Sequence, residues 1–290
     1  MHTITLRGRG SIELVADVDG DPASPPAVLL HGGGQTRHAW GTTLRAIAAA
    51  GWYGLSVDQR GHGESQWAPD GDYSIDAFSG DVVEIARTLD QLPVLIGASL
   101  GGLASLVAVG ESTEPIARAL VLVDVAPRVE PDGAARIVGF MRDHLDGFES
   151  LDEVADVVAA YNPHRPRPKN LEGLKKNVRQ RADGRWVWHW DPRFVSGAGG
   201  SPDETRTSVI EPTRLRRAAQ QLELPVLLVR GRMSDLLSEA GVEEFREMVP
   251  HAQVADVAGA GHMVAGDRND LFNDAVVTFL ADLRDSGVAN

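Results

Sequence analysis

Ser99 lies in the stretch VLIGASLGG, residues 94 to 102, where an apolar run meets a cluster of small residues. The spacing of Gly97, Ser99 and Gly101 is G-x-S-x-G. A serine at a strand-to-helix turn of this kind is held in a strained backbone conformation, and its neighbours must be small because strand and helix approach closely. Gly97, Ala98, Gly101 and Gly102 meet that demand. In a chain with 31 glycines the pattern alone equally describes a passive serine in a glycine-rich turn. Its setting, behind a strand-like run and ahead of the helical SLVAVG, favours a nucleophile.

A serine nucleophile needs a base to take its proton, and the base needs an acceptor to fix its tautomer. Two further loops offer them. AGAGHMVAGDR places His262 in a glycine-rich loop just before the last helical pattern, and LLVRGRMSDLLS places Asp235 after a late apolar run. Ser99, Asp235 and His262 are thus the expected catalytic set. Asp124, which ends LVLVD, competes for the acid role; Asp235 is preferred because Asp124 can equally cap the start of the segment that follows. An oxyanion would need backbone amides. Leu100 supplies one at a helix N-terminus, and Gly33 in LLHGGGQ supplies the other, with Gly34 behind it. His31, in that same loop, reads as structural.

These residues sit at the ends of apolar runs of strand length: AVLL (27–30), YGLSV (53–57), PVLI (93–96), ALVLV (119–123), PVLLV (225–229) and QVADV (253–257). Continuous runs suit strands buried on both faces of a parallel sheet. Residues 38–51, 74–92 and 271–285 have helical spacing, so the order β-α-β-α predicts an open α/β sheet, begun by an antiparallel hairpin at residues 2–18. Ligands in such sheets bind beyond the carboxyl ends of the strands. The rhythm breaks from about residue 128 to 218, which shows helical patterns and Pro-rich turns but no strand-like run. That length is too great for a loop and predicts a helical insertion over one sheet edge. The core is then residues 1–127 and 219–290.

Composition narrows the partners. The chain has 290 residues, no cysteine and a formal charge of −13. Disulfides and thiolate metal sites are excluded, and the cytoplasm is the expected compartment. Nucleic acid and anionic membranes are disfavoured by charge, no run is long enough to span a bilayer, and the expected partner is a small-molecule substrate. The most basic segment, His164 to Arg181, reads as a solvated helix face.

The motifs HGGG at 31–34, DQRGHGES at 58–65, GASLGG at 97–102, SD at 234–235 and GAGH at 259–262 together resemble the α/β-hydrolase fold family of serine hydrolases, over almost all of residues 1–127 and 219–290. The resemblance implies a mostly parallel sheet with a helical cap at 128–218, no cofactor and no metal. It also implies attack of Ser99 on a carbonyl through an acyl-enzyme. A small to medium, apolar carboxylic ester, lactone or thioester is the expected substrate. Asp58, Arg60, His62 and Ser65 then form a structural turn. Serine at position 99 departs from the carboxylate nucleophile of epoxide hydrolases and haloalkane dehalogenases. Ala98 and Met263 depart from the carbon–carbon hydrolases, and Leu100 from proline iminopeptidases. Cofactor-free perhydrolases share the pattern. Ligand-binding receptors and cofactor-independent oxygenases of the fold are the readings outside hydrolysis. RWVWHWDPRF, residues 185–194, brings Trp186, Trp188 and Trp190 together, either to line a pocket or to fasten the cap; Trp67, Phe140 and Met263 are further pocket candidates.

Overall fold

The computed structural model describes residues 1–163, 166–196, 211–262 and 269–285. Strands form where the apolar runs lie: β1 (His2–Arg7), β2 (Glu13–Asp19), β3 (Pro26–Leu30), β4 (Tyr53–Val57), β5 (Val94–Ala98) and β6 (Ala119–Val123). Every residue of β3 and β6 is buried, which explains why those runs are continuous, whereas β2 alternates. Between the strands run α1 (Gly41–Ala49), α2 (Ile75–Arg87) and α3 (Leu100–Gly110).

Past β6 the chain leaves the sheet. It forms α4 (Pro131–Arg142), α5 (Leu151–Tyr161), the short strands β7 (Val178–Gln180) and β8 (Trp186–Trp188), and a single turn α6 (Arg193–Ser196). It returns through α7 (Pro212–Gln220), β9 (Val226–Gly231), α8 (Glu239–Met248), β10 (Gln253–Val257) and α9 (Asn269–Asp285). The eight-stranded sheet has the order β1-β2-β4-β3-β5-β6-β9-β10. Pairing is antiparallel from β1 through β2 to β4 and parallel from β4 to β10. The hairpin at the start and the parallel remainder match the expectation.

Alternate strand residues supply two cores. Val28 and Leu30 join Phe78, Leu106 and Phe245 on the face covered by α2, α3, α7 and α8, while Ala27 and Leu29 join Trp40, Ile47, Phe272 and Leu280 under α1 and α9. This is the period-2 alternation of a strand turned to two uses. Each such aliphatic side chain, once buried, contributes about 1.5–3 kcal/mol.

The insertion has an apolar cluster of its own, built on Met141, Phe148, Val154, Trp188 and Trp190. Three expectations change there. Residues 178–180 and 186–188 pair as an antiparallel ribbon, so the segment is not wholly helical. The basic stretch is not a helix face but a 3-10 turn, Leu171–Lys176, leading into β7. And α7 packs with the sheet: Leu215, Ala218 and Ala219 belong to the main core, and a methyl on Gly110 of α3 would lie 2.3 Å from the Ala218 carbonyl oxygen. The core therefore resumes at α7 rather than at residue 219.

Candidate active site

Ser99 occupies the turn between β5 and α3 with φ 45° and ψ −113°, a conformation that costs a non-glycine residue about 1–3 kcal/mol. The neighbours explain how it is held. The Ser99 amide donates to the Val123 carbonyl (3.2 Å) and the Gly101 amide to the His31 carbonyl (3.2 Å). A methyl on Gly97 would lie 2.4 Å from the Gly101 oxygen, and one on Gly101 would lie 2.4 Å from the Leu30 oxygen. The small residues are obligatory because three strand ends converge here.

His262 follows β10, and its Nδ1 donates to Asp124 Oδ2 at 2.8 Å. Asp124 ends β6, is fully buried, and has φ 51°. Its Oδ1 accepts from the Gly231 amide (3.0 Å), and Oδ2 also accepts from the Ser234 hydroxyl. Three donors satisfy a carboxylate that has no access to water. Asp235 does not meet His262. It is 40% exposed, and its carboxylate pairs with Arg136 of α4 at 2.6 Å. Of the two candidate aspartates it is therefore Asp124, not the Asp235 preferred from sequence, that meets His262: the turn after β9 sends the Ser234 hydroxyl inward to Asp124 and the Asp235 side chain outward.

Ser99, Gly33 and His262 line one cavity of about 320 Å³, a size ordinary for a small-molecule site. Gly33 has no hydrogen-bond acceptor for its amide among the described residues, nor has Leu100, the first residue of α3. Gly34 cannot share that role, because its amide already donates to His62 Nε2 at 3.2 Å. The arrangement offers a strained hydroxyl, an imidazole oriented by a buried carboxylate, and two open amides, which is what acyl transfer requires.

The remaining wall comes from the insertion. Ile137, Phe140 and Met141 of α4, Val158 and Tyr161 of α5, and Trp188 and Trp190 line it. Trp188 stacks on Trp190 at 4.7 Å, and Phe140 stacks on Tyr161 at 4.1 Å. Trp186 and Trp67, expected here, stand elsewhere. Two residues of strand carry Trp186 about 7 Å beyond Trp188, where its backbone exchanges hydrogen bonds with Phe148; Trp67 lies beneath the Arg179 guanidinium, 5.1 Å from its ring centre. Met263 is outside the described residues. Phe140, named from sequence, does line the cavity, whereas Ile137, Met141, Val158 and Tyr161 had no sequence signal beyond helical periodicity, which cannot say which stripe faces a cavity.

Three buried histidines accept hydrogen bonds from loop amides. His31 Nε2 accepts from the Gln59 amide (3.0 Å), His62 Nε2 from Gly34, and His189 Nδ1 from the Gly63 amide (2.8 Å). Each is neutral, since burial depresses its pKa, to about 3 for His62. The DQRGHGES turn is tied into the core by buried ion pairs and hydrogen bonds. Asp58 is buried against Arg37, Arg60 holds Asp81 through two bonds (2.6 and 2.7 Å), and the Val15 amide donates to the Ser65 hydroxyl (2.8 Å). The insertion docks on this turn: Asp191 accepts from the Tyr73 hydroxyl (2.6 Å) and its amide donates to the Gly61 carbonyl (2.8 Å). Among the described residues no helix is long and apolar enough to cross a membrane.

Comparison with known proteins shows the family of the fold. The family model described as "Alpha/beta hydrolase family" matches residues 27–275. An esterase of Mycobacterium tuberculosis, Rv0045c, is 30% identical over 258 residues, 85% of this chain and 79% of that protein. A 3-hydroxybutyrate-oligomer hydrolase of Cupriavidus necator is 30% identical over 253 residues, 84% of each chain. The crystal structure of an E-2-(acetamidomethylene)succinate hydrolase superposes with a TM-score of 0.82 at 23% identity, covering 97% of this chain and all of the other. With strand order, elbow and sequence in agreement, this chain belongs to the alpha/beta hydrolase family.

Proposed function

We propose that the protein hydrolyses carboxylic esters of small to medium size with an apolar acyl or alcohol part, through an acyl-enzyme on Ser99. One observation carries this reading: the strained Ser99 opens on the same cavity as His262, whose Nδ1 is held by buried Asp124. With Nδ1 donating to Asp124, Nε2 is the ring nitrogen left to take the Ser99 proton. The alkoxide attacks the ester carbonyl, and the Gly33 and Leu100 amides hold the oxyanion. Collapse expels the alcohol, protonated by the same imidazole. Water, deprotonated by His262, then attacks the acyl-enzyme and releases the acid and Ser99. The apolar insertion wall supports an apolar substrate part, and we assign residues 128 to 211 the role of a cap over the site. The similar chains carry names that describe hydrolysis, one of them an esterase. The cysteine-free composition supports the cytoplasm as its compartment.

A fluorophosphonate probe tests the mechanism. Wild type is expected to be labelled and Ser99→Ala to be silent, while an unlabelled wild type would overturn the proposal. A series of 4-nitrophenyl esters of rising chain length then measures the apolar preference.

A further inference from the structure

Among the described residues that line the cavity there is no Asp, Glu or Arg, and one permanently charged side chain, Lys176. It has no carboxylate within ion-pair distance among the described residues, in contrast to its neighbour Lys175, which binds Glu172 at 2.8 Å. Lys176 stands at a boundary. With Thr36 and His38 it borders both the apolar cavity and an adjoining polar hollow of about 490 Å³. Its charge joins burial and Arg37 in lowering the pKa of His38, which keeps that ring neutral beside it. The cavity wall also carries uncharged hydrogen-bond donors. Asn177 adjoins Lys176, and the indole N–H groups of Trp40 and Trp190 are buried with no acceptor among the described residues.

A cavity wall with no carboxylate among the described residues, in a chain whose charge is −13, is selective in composition. We propose that the enzyme's preferred substrates are esters carrying a second group, a carboxylate, at the end of an apolar chain, with that carboxylate held at Lys176. One ammonium flanked by neutral donors suits a monovalent anion, and the apolar wall suits the chain between the two groups. This rests on the ester-hydrolase reading above and adds the substrate class.

Two matched sets of esters test it. Monomethyl esters of linear dicarboxylic acids put the anion on the acyl side, and acetyl esters of ω-hydroxy acids put it on the alcohol side. Each is compared with its methyl-capped, uncharged counterpart. The expected result in one set is a kcat/KM about tenfold higher for the anionic member, weakening as salt rises. Lys176→Gln is expected to remove that preference through KM, and Lys175→Gln, outside the cavity wall, to retain it. No anionic preference in either set, or one that survives Lys176→Gln, would overturn the proposal. Turnover of the uncharged esters reports separately on ester hydrolysis. Calorimetric binding of a dicarboxylate against its dimethyl ester, in wild type and Lys176→Gln, decides the Lys176 role even without turnover: tighter binding of the diacid that Lys176→Gln abolishes supports it, and equal binding overturns it.

Discussion

The two walls of the cavity are made differently. On the sheet side Ser99, and Asp124 which holds His262, are fixed by main-chain geometry: positive φ at both, amides donated to strand carbonyls, and Gly97 and Gly101 with no room for a methyl. On the insertion side Phe140, Tyr161, Trp188 and Trp190 are fixed by packing on one another. A wall set by backbone has one solution, whereas a wall set by packing tolerates many of similar volume. The proposed chemistry therefore falls to the first wall and the proposed selectivity to the second.

Substitutions can break that contrast. The largest effect is expected at Ser99→Ala, with ester turnover reduced by about 10⁴-fold or more. Asp124→Asn is expected to lower kcat by about 10⁴-fold, since it disturbs the His262 tautomer. Asp235→Asn, which removes an exposed ion pair, should stay within about threefold. Steady-state kinetics on one aryl ester decides between the two aspartates, and the reverse order would return the acid role to Asp235. On the other wall, Phe140→Ala is expected to raise KM for long-chain esters about tenfold while kcat stays within about threefold. A kcat collapse there would show that the insertion takes part in the chemistry.

The smallest effect concerns pH and the loop histidines. Burial lowers the pKa of His31, His62 and His189 in the folded chain, so the unfolded chain binds more protons once pH falls below about 6.5. Their contribution to stability is complete above that pH and is lost on acidification, continuing toward pH 3 for His62. Each histidine should contribute a slope of about 1 kcal/mol per pH unit. Urea midpoints at pH 7, 6 and 5 are expected to fall, and His62→Gln should flatten the trend.

Much of the sheet-side wall was legible in the sequence because main-chain demands leave marks on residue type. Gly97, Gly101 and Gly102 reveal a close approach, and continuous runs such as ALVLV reveal doubly covered strands. Which aspartate meets His262 was not legible, because Asp124 and Asp235 both lie beyond apolar runs. Burial separates them, and burial depends on which way the turn after β9 faces. The sign that could have helped was Arg136, an opposite charge available to an exposed Asp235, but only the fold shows the two within 2.6 Å. The insertion was less legible. Its ribbon has strands of three residues, too short for periodicity to reveal, and its cavity residues were chosen by tertiary packing.

The crowding around the elbow also bears on how this enzyme could change over generations. At Gly97, Gly101 and Gly102 a single added carbon would strike backbone within 2.8 Å. A library randomised at those three codons and selected for activity should return glycine almost alone. The same library at Ile137, Phe140 and Val158 should return a crowd. New substrates would then be acquired through the insertion, while the elbow is inherited unaltered.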